Sequence, residues 1–149
     1  MANQAKIWID NDACPTRIRE IVFKAGRRLK IPIVVVANRY MHPPTDQKVE
    51  MVCVGAEFDA ADNYSAEHVN AGDLVLTADI PLAGRVVEKA AIALSPRGVV
   101  FDAESVKEKL AMRNLAQELR TEHDNFGGPK ALNDTDIRKF AAAFDRIVN

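Results

Sequence analysis

Seven consecutive residues, "IPIVVVA" from Ile31 to Ala37, leave little choice of environment. A strand with one wet face alternates apolar and polar side chains. This run does not alternate and is dominated by β-branched residues, the pattern of a strand buried on both faces. Such a strand belongs inside a sheet that is covered on two sides. The covering layers must come from elsewhere in the chain.

Helical periodicity supplies them. Ile18, Ile21, Val22, Ala25 and Leu29 recur at helical spacing after Pro15, which suits a first helical turn. That helix should stop near Lys30, before Pro32. Further strands are expected at Ile7–Ile9, Val49–Val54, Asp73–Asp79 and Ala91–Leu94. Helices are expected at Asp59–Val69, at Ile80–Ala90 and from about Ala103, the last with Val106, Leu110, Leu115 and Leu119 inside. Ile137, Phe140, Ala141, Phe144 and Ile147 form the most amphipathic helix of the chain. "HDNFGGP", His123 to Pro129, reads as a break between the last two helices. Alternation of short strands with helices predicts an α/β fold: three layers, with a mainly parallel central sheet and helices on both faces. No linker or repeat divides residues 1–149, so one domain is expected.

The 149 residues suffice for a real core, and the net charge of −1 makes the molecule no general magnet for polyanions. Any nucleic acid would need a local basic patch. Two cysteines, Cys14 and Cys53, without a paired motif suggest neither a disulfide scaffold nor a zinc site. The N-terminus runs into a strand without an apolar signal region, and no run approaches the roughly 18–20 apolar residues of a membrane span. A cytoplasmic protein with no membrane partner is the expectation.

Acids stand at three strand–helix junctions. Asp10 and Asp12 follow the first strand, Asp59 and Asp62 open a helix, and Asp79 ends "LVLTAD". In a parallel sheet all three junctions fall on one edge, where α/β folds bind ligands. Taken singly, each acid reads as a helix N-cap. Asp59 and Asp62 have the spacing of a capping box. Taken together they conflict. Carboxylates about 4 Å apart repel by roughly 1 kcal/mol in water and up to about 4 kcal/mol near a protein surface. A dipole contact returns only about 0.3–1 kcal/mol. A proton or a cation would resolve the conflict, and an all-oxygen site suits Mg²⁺. Whether the acids cluster depends on the sheet order.

"IDNDACP", "FDAADNYSAE", "GDLVLTADIPLA", "SPRG" and "GGPKAL" with a later Asp resemble, in this order and over nearly the whole chain, the bacterial YaiI/YqxD family. That family is usually grouped with the PIN-like superfamily, whose characterised members are metal-dependent ribonucleases. The resemblance implies a PIN-like fold, with Asp10 and Asp79 as metal-site and catalytic acids. It admits Asp12, Asp59 and Asp62 as further ligands of Mg²⁺ or Mn²⁺. Asn63 follows Asp62 where many members carry a second acid, which weakens the case for two metals. Likeness of fold does not by itself confer activity.

Basic residues offer contacts for RNA. Arg17, Lys24 and Arg28 lie near one face of the first helix, either as a solvated face or as phosphate contacts. Arg39 and Arg97 lie in loops near the expected ligand edge. Cys14 lacks a histidine partner nearby in sequence and reads as a packing residue. The leading reading is a metal-dependent nuclease acting on RNA. One rival is a haloacid-dehalogenase-like phosphohydrolase, since Asp10 and Asp12 form a "DxD". The expected downstream lysine motif is not evident. The other rival is a non-catalytic RNA- or protein-binding module.

Overall fold

The computed structural model describes residues 5–11, 14–55, 60–108, 111–112 and 132–148, with 60–63 described for their backbone only. The element order is β1 (Ile7–Asp10), α1 (Thr16–Leu29), β2 (Ile33–Ala37), β3 (Val49–Cys53), α2 (Ala60–His68), β4 (Leu74–Leu76), α3 (Ile80–Glu88), β5 (Ile92–Leu94) and β6 (Val100–Phe101). A helical stretch over 103–108, α4, follows, and α5 (Asp134–Val148) ends the described chain. The six strands lie in the order β3-β2-β1-β4-β5-β6. Strands β3 to β5 are mutually parallel, and β6 pairs antiparallel with β5.

Burial on both faces explains the run in β2. All five of its residues are buried. Ile33 and Val35 join Ile7, Ile9, Leu74 and Leu76 in a core packed against Ile18 and Val22 of α1 and Phe140 and Phe144 of α5. Val34 and Val36 join Trp8, Val75 and Ala93 in a second core, under Ala66 of α2, Leu82, Ala83 and Val86 of α3, and Val106 of α4. The period of two in the strands thus sorts one apolar run into two cores. The expected three-layer architecture is what the chain adopts.

Several boundaries differ from expectation for local reasons. Thr16 opens α1, and Pro15 stands just before it as the N-cap residue, its carbonyl accepting from the Arg19 N–H. Lys30 closes α1 in the left-handed conformation, φ 57°, its N–H bonding back to the Gly26 carbonyl. The strand expected to end in Asp79 ends at Leu76 instead. Asp79 caps α3, which makes that acid part of the helix rather than of the strand. β6 escaped sequence reading because a two-residue strand has no period to detect. The turn at Ser95–Gly98 makes it: Ser95 Oγ accepts from the N–H groups of Arg97 and Val99, and Gly98 has φ 87°. A Cβ at Gly98 would lie 2.6 Å from the Lys139 carbonyl carbon, so only glycine lets this turn seat against α5.

Parallel neighbours usually need a helix between them. Between β2 and β3 the connection over 38–48 has none. It runs back along α1 instead. Gln47 Nε2 donates to the Phe23 carbonyl at 3.0 Å, and Asp46 pairs with Arg27 at 2.9 Å.

Candidate functional site at the carboxyl edge of the sheet

From β1 the chain leaves in one direction across the sheet, to β2 and β3, and then returns past it to β4. The order therefore reverses between β1 and β4, and a crevice opens beyond their carboxyl ends. Asp10 ends β1 at this point and is buried, 6% exposed. Ile9 is registered with Leu76, so the next residues on the two strands, Asp10 and Thr77, stand side by side. Thr77 Oγ1 donates to Asp10 Oδ2 at 2.9 Å. Thr77 Oγ1 itself accepts the Asp79 N–H at 3.0 Å. Asp79 Oδ1 in turn accepts the Leu82 N–H at 2.8 Å, capping α3. One buried hydroxyl thus links the Asp10 carboxylate to the backbone N–H of Asp79 through hydrogen bonds whose lengths are ordinary for their type.

The other acids singled out in the sequence are not all within reach. Asp12 and Asp59 lie outside the described residues, and Asp62 is described only by its backbone in α2. Among the described residues no group of three or more His, Cys, Asp or Glu side chains is arranged to hold a metal ion. The described part of the edge supplies two carboxylates.

The arginines divide. Arg17 pairs with Asp134 at 3.2 Å, both exposed, across the α1–α5 seam. Arg97 donates to Asp136 Oδ2 at 2.7 Å, which ties the β5–β6 turn to the start of α5. Arg39 is exposed in the 38–48 connection. Arg19, which sequence reading passed over, donates from Nη1 to Asn11 Oδ1 at 2.6 Å and so anchors the chain just beyond Asp10. Thr77 was also missed. Its signal was a hydroxyl placed two residues before an acid at a strand end.

Cys14 is buried beside this site. Burial pushes its thiol up to about 12 from 9.0, Arg19 opposes that shift and Asp10 adds to it. At neutral pH the thiol stays protonated. Cys14 is a packing residue and no nucleophile. Cys53 is exposed. Iodoacetamide at pH 7.5 is expected to label Cys53 alone in the folded protein and both cysteines after unfolding. Labelling of Cys14 in the folded state, located by peptide mass, would contradict its burial. The linkage has a definite sign. A thiol whose folded pKa is raised favours the folded state fully below pH 9 and loses that contribution as pH rises toward 12.

No helix among the described residues is long and apolar enough to cross a membrane. A family model described as "Uncharacterized BCR, YaiI/YqxD family" matches residues 8–149. A UPF0178 protein of Citrifermentans bemidjiense is 51% identical over 143 residues, covering 96% of this chain and 93% of its own. One from Geobacter sulfurreducens is 48% identical over 145 residues, covering 97% and 96%. One from Shewanella sp. strain MR-4 is 46% identical over 143 residues, covering 96% and 95%. No solved structure gives a significant match.

Proposed function

This chain belongs to the YaiI/YqxD family, and we propose that it is a PIN-like, divalent-metal-dependent nuclease that hydrolyses RNA phosphodiesters at the carboxyl edge of its sheet. The observation that carries the reading is the Thr77 bridge, which joins the buried Asp10 carboxylate at the switch point to the backbone of Asp79 at the start of α3. A carboxylate 6% exposed is costly to bury unless something positive or a donor offsets it.

The donor set suits the ion. Mg²⁺ and Mn²⁺ are hard cations, and Mg²⁺ is commonly held by one or two carboxylates while keeping waters for a phosphate. Asp10 and Asp79 would hold it, with Asp12, Asp59 or Asp62 completing the shell. Bound there, the ion would supply an activated water and offset charge on the phosphate. The chain's own contribution is orientation. The hydroxyl of Thr77 fixes one oxygen of Asp10, and the α3 cap fixes one oxygen of Asp79. Outer hydrogen bonds of this kind aim a ligand before it is used. Arg39 would meet phosphate directly from its exposed loop. Arg97 and Arg17 would do so by exchanging Asp136 and Asp134 for phosphate oxygens.

One observation favours the rival, a non-catalytic binding module: Asp10 and Asp79 each already accept a structural hydrogen bond. Asp79→Asn separates the two. Asparagine caps a helix about as well as aspartate, so the thermal midpoint should stay put. Mn²⁺-dependent cleavage of a labelled RNA should disappear. Cleavage at the wild-type rate would remove Asp79 from the chemistry. Cleavage absent from the wild type across Mg²⁺ and Mn²⁺ would favour the rival.

A further inference from the structure

We infer that the groove between α1 and the 38–48 connection is the seat of a single-stranded RNA substrate, with Tyr40 and His42 stacking its bases. This rests on the nuclease reading and adds to it the substrate's strandedness and its path.

The groove has a volume of about 500 Å³ and is lined by Thr16, Arg19, Glu20, Phe23 and residues 41–45. It exists because β2 and β3 are joined by a loop rather than a helix, and Gln47 and Asp46 pin the far end of that loop to α1. Its floor is mixed. Phe23, Met41, Pro43 and Pro44 give apolar surface, and Thr16 and Thr45 give hydroxyls. Arg19 connects it to the candidate site, since it lines the groove and holds Asn11, the residue after Asp10.

The loop brings the chemistry that recognises nucleotides. Tyr40 is 66% exposed, as exposed as any large hydrophobic side chain among the described residues. Its ring meets the exposed His42 ring edge-on, centroids 6.3 Å apart. Two exposed rings beside an exposed arginine, Arg39, are a stacking platform with a phosphate contact, the combination that holds single strands. A duplex keeps its base faces stacked internally and presents none to such rings. Among the described residues the groove is lined by one acid, Glu20, and one cation, Arg19, and the exposed Arg39 stands in the loop just before Tyr40.

The test is fluorescence anisotropy with a fluorescein-labelled octauridine RNA in excess chelator, so that binding is read without cleavage. Wild-type protein should bind the single strand more tightly than a duplex of the same length. The double variant Tyr40→Ala, His42→Ala should bind at least about tenfold more weakly. Arg39→Ala should reduce the slope of log affinity against log salt by about 0.7. The altered side chains are exposed, and unchanged thermal midpoints will show that they fold. Binding in chelator is read apart from Mn²⁺-dependent cleavage, which separates the two readings. Binding that survives in the double variant, or equal affinity for duplex, overturns the groove assignment even if cleavage is real. Absence of binding by wild type also overturns it. Groove-dependent binding without Mn²⁺-dependent cleavage upholds the groove and sinks the nuclease.

Discussion

Asp73→Ala is expected to lower the stability of the fold by about 3–5 kcal/mol. Asp73 is 3% exposed at the opposite, amino edge of the sheet. Its Oδ1 accepts the Lys6 N–H at 2.9 Å. Its Oδ2 accepts Trp8 Nε1–H at 2.9 Å and the Asn70 N–H at 3.0 Å. Alanine would leave three donors without their acceptor, each costing about 1–3 kcal/mol to the extent that water cannot replace it. One carboxylate here fastens the start of β1, the indole of the second core and the turn into β4. An asparagine amide has one accepting oxygen and cannot serve both sides, so Asp73→Asn should lose about half as much. Urea titration reads the effect as a fall in midpoint at constant slope. A loss under about 1 kcal/mol in the alanine variant would mean that the network contributes little.

The second large effect is on chemistry. Asp10→Asn should reduce metal-dependent RNA cleavage by on the order of 10³-fold or more, since ion-based charge stabilisation is worth several kcal/mol. The fold should survive, because an asparagine carbonyl still accepts the Thr77 hydroxyl and position 10 then carries no charge to bury. Loss of cleavage with an unchanged far-ultraviolet spectrum and melting midpoint is the expected combination. Loss of both together would make Asp10 a structural acid like Asp73.

Asp10 and Asp73 show where sequence reading stops. Both follow or precede apolar strand residues, and nothing in their immediate neighbours distinguishes them. Strand order does. It sets Asp10 beside Thr77 at the switch point and Asp73 beneath the Trp8 indole. The parallel sheet was legible because "IPIVVVA" admits no wet face and because helical spacing recurs between the strands. The shared edge for Asp10 and Asp79 followed from parallelism alone. The cap role of Asp79 was legible as well, since an aspartate before "IPLA" reads as an N-cap, and only the end of the preceding strand was misplaced. The arginines were the least legible. Arg17 and Arg97 find Asp134 and Asp136 at the start of α5, 117 and 39 residues further along the chain. The loop after β2 was legible as a polar, proline-containing stretch, but the groove was not, because it depends on how that loop seats against α1.

Calorimetric titration of Mn²⁺ into chelator-stripped protein, wild type beside Asp10→Asn, tests the central claim most directly. Saturable binding in the wild type that vanishes in the variant is the expected result. No heat of binding in the wild type, or the same isotherm for both proteins, would contradict a metal site at Asp10 and return the buried acid to a purely structural role.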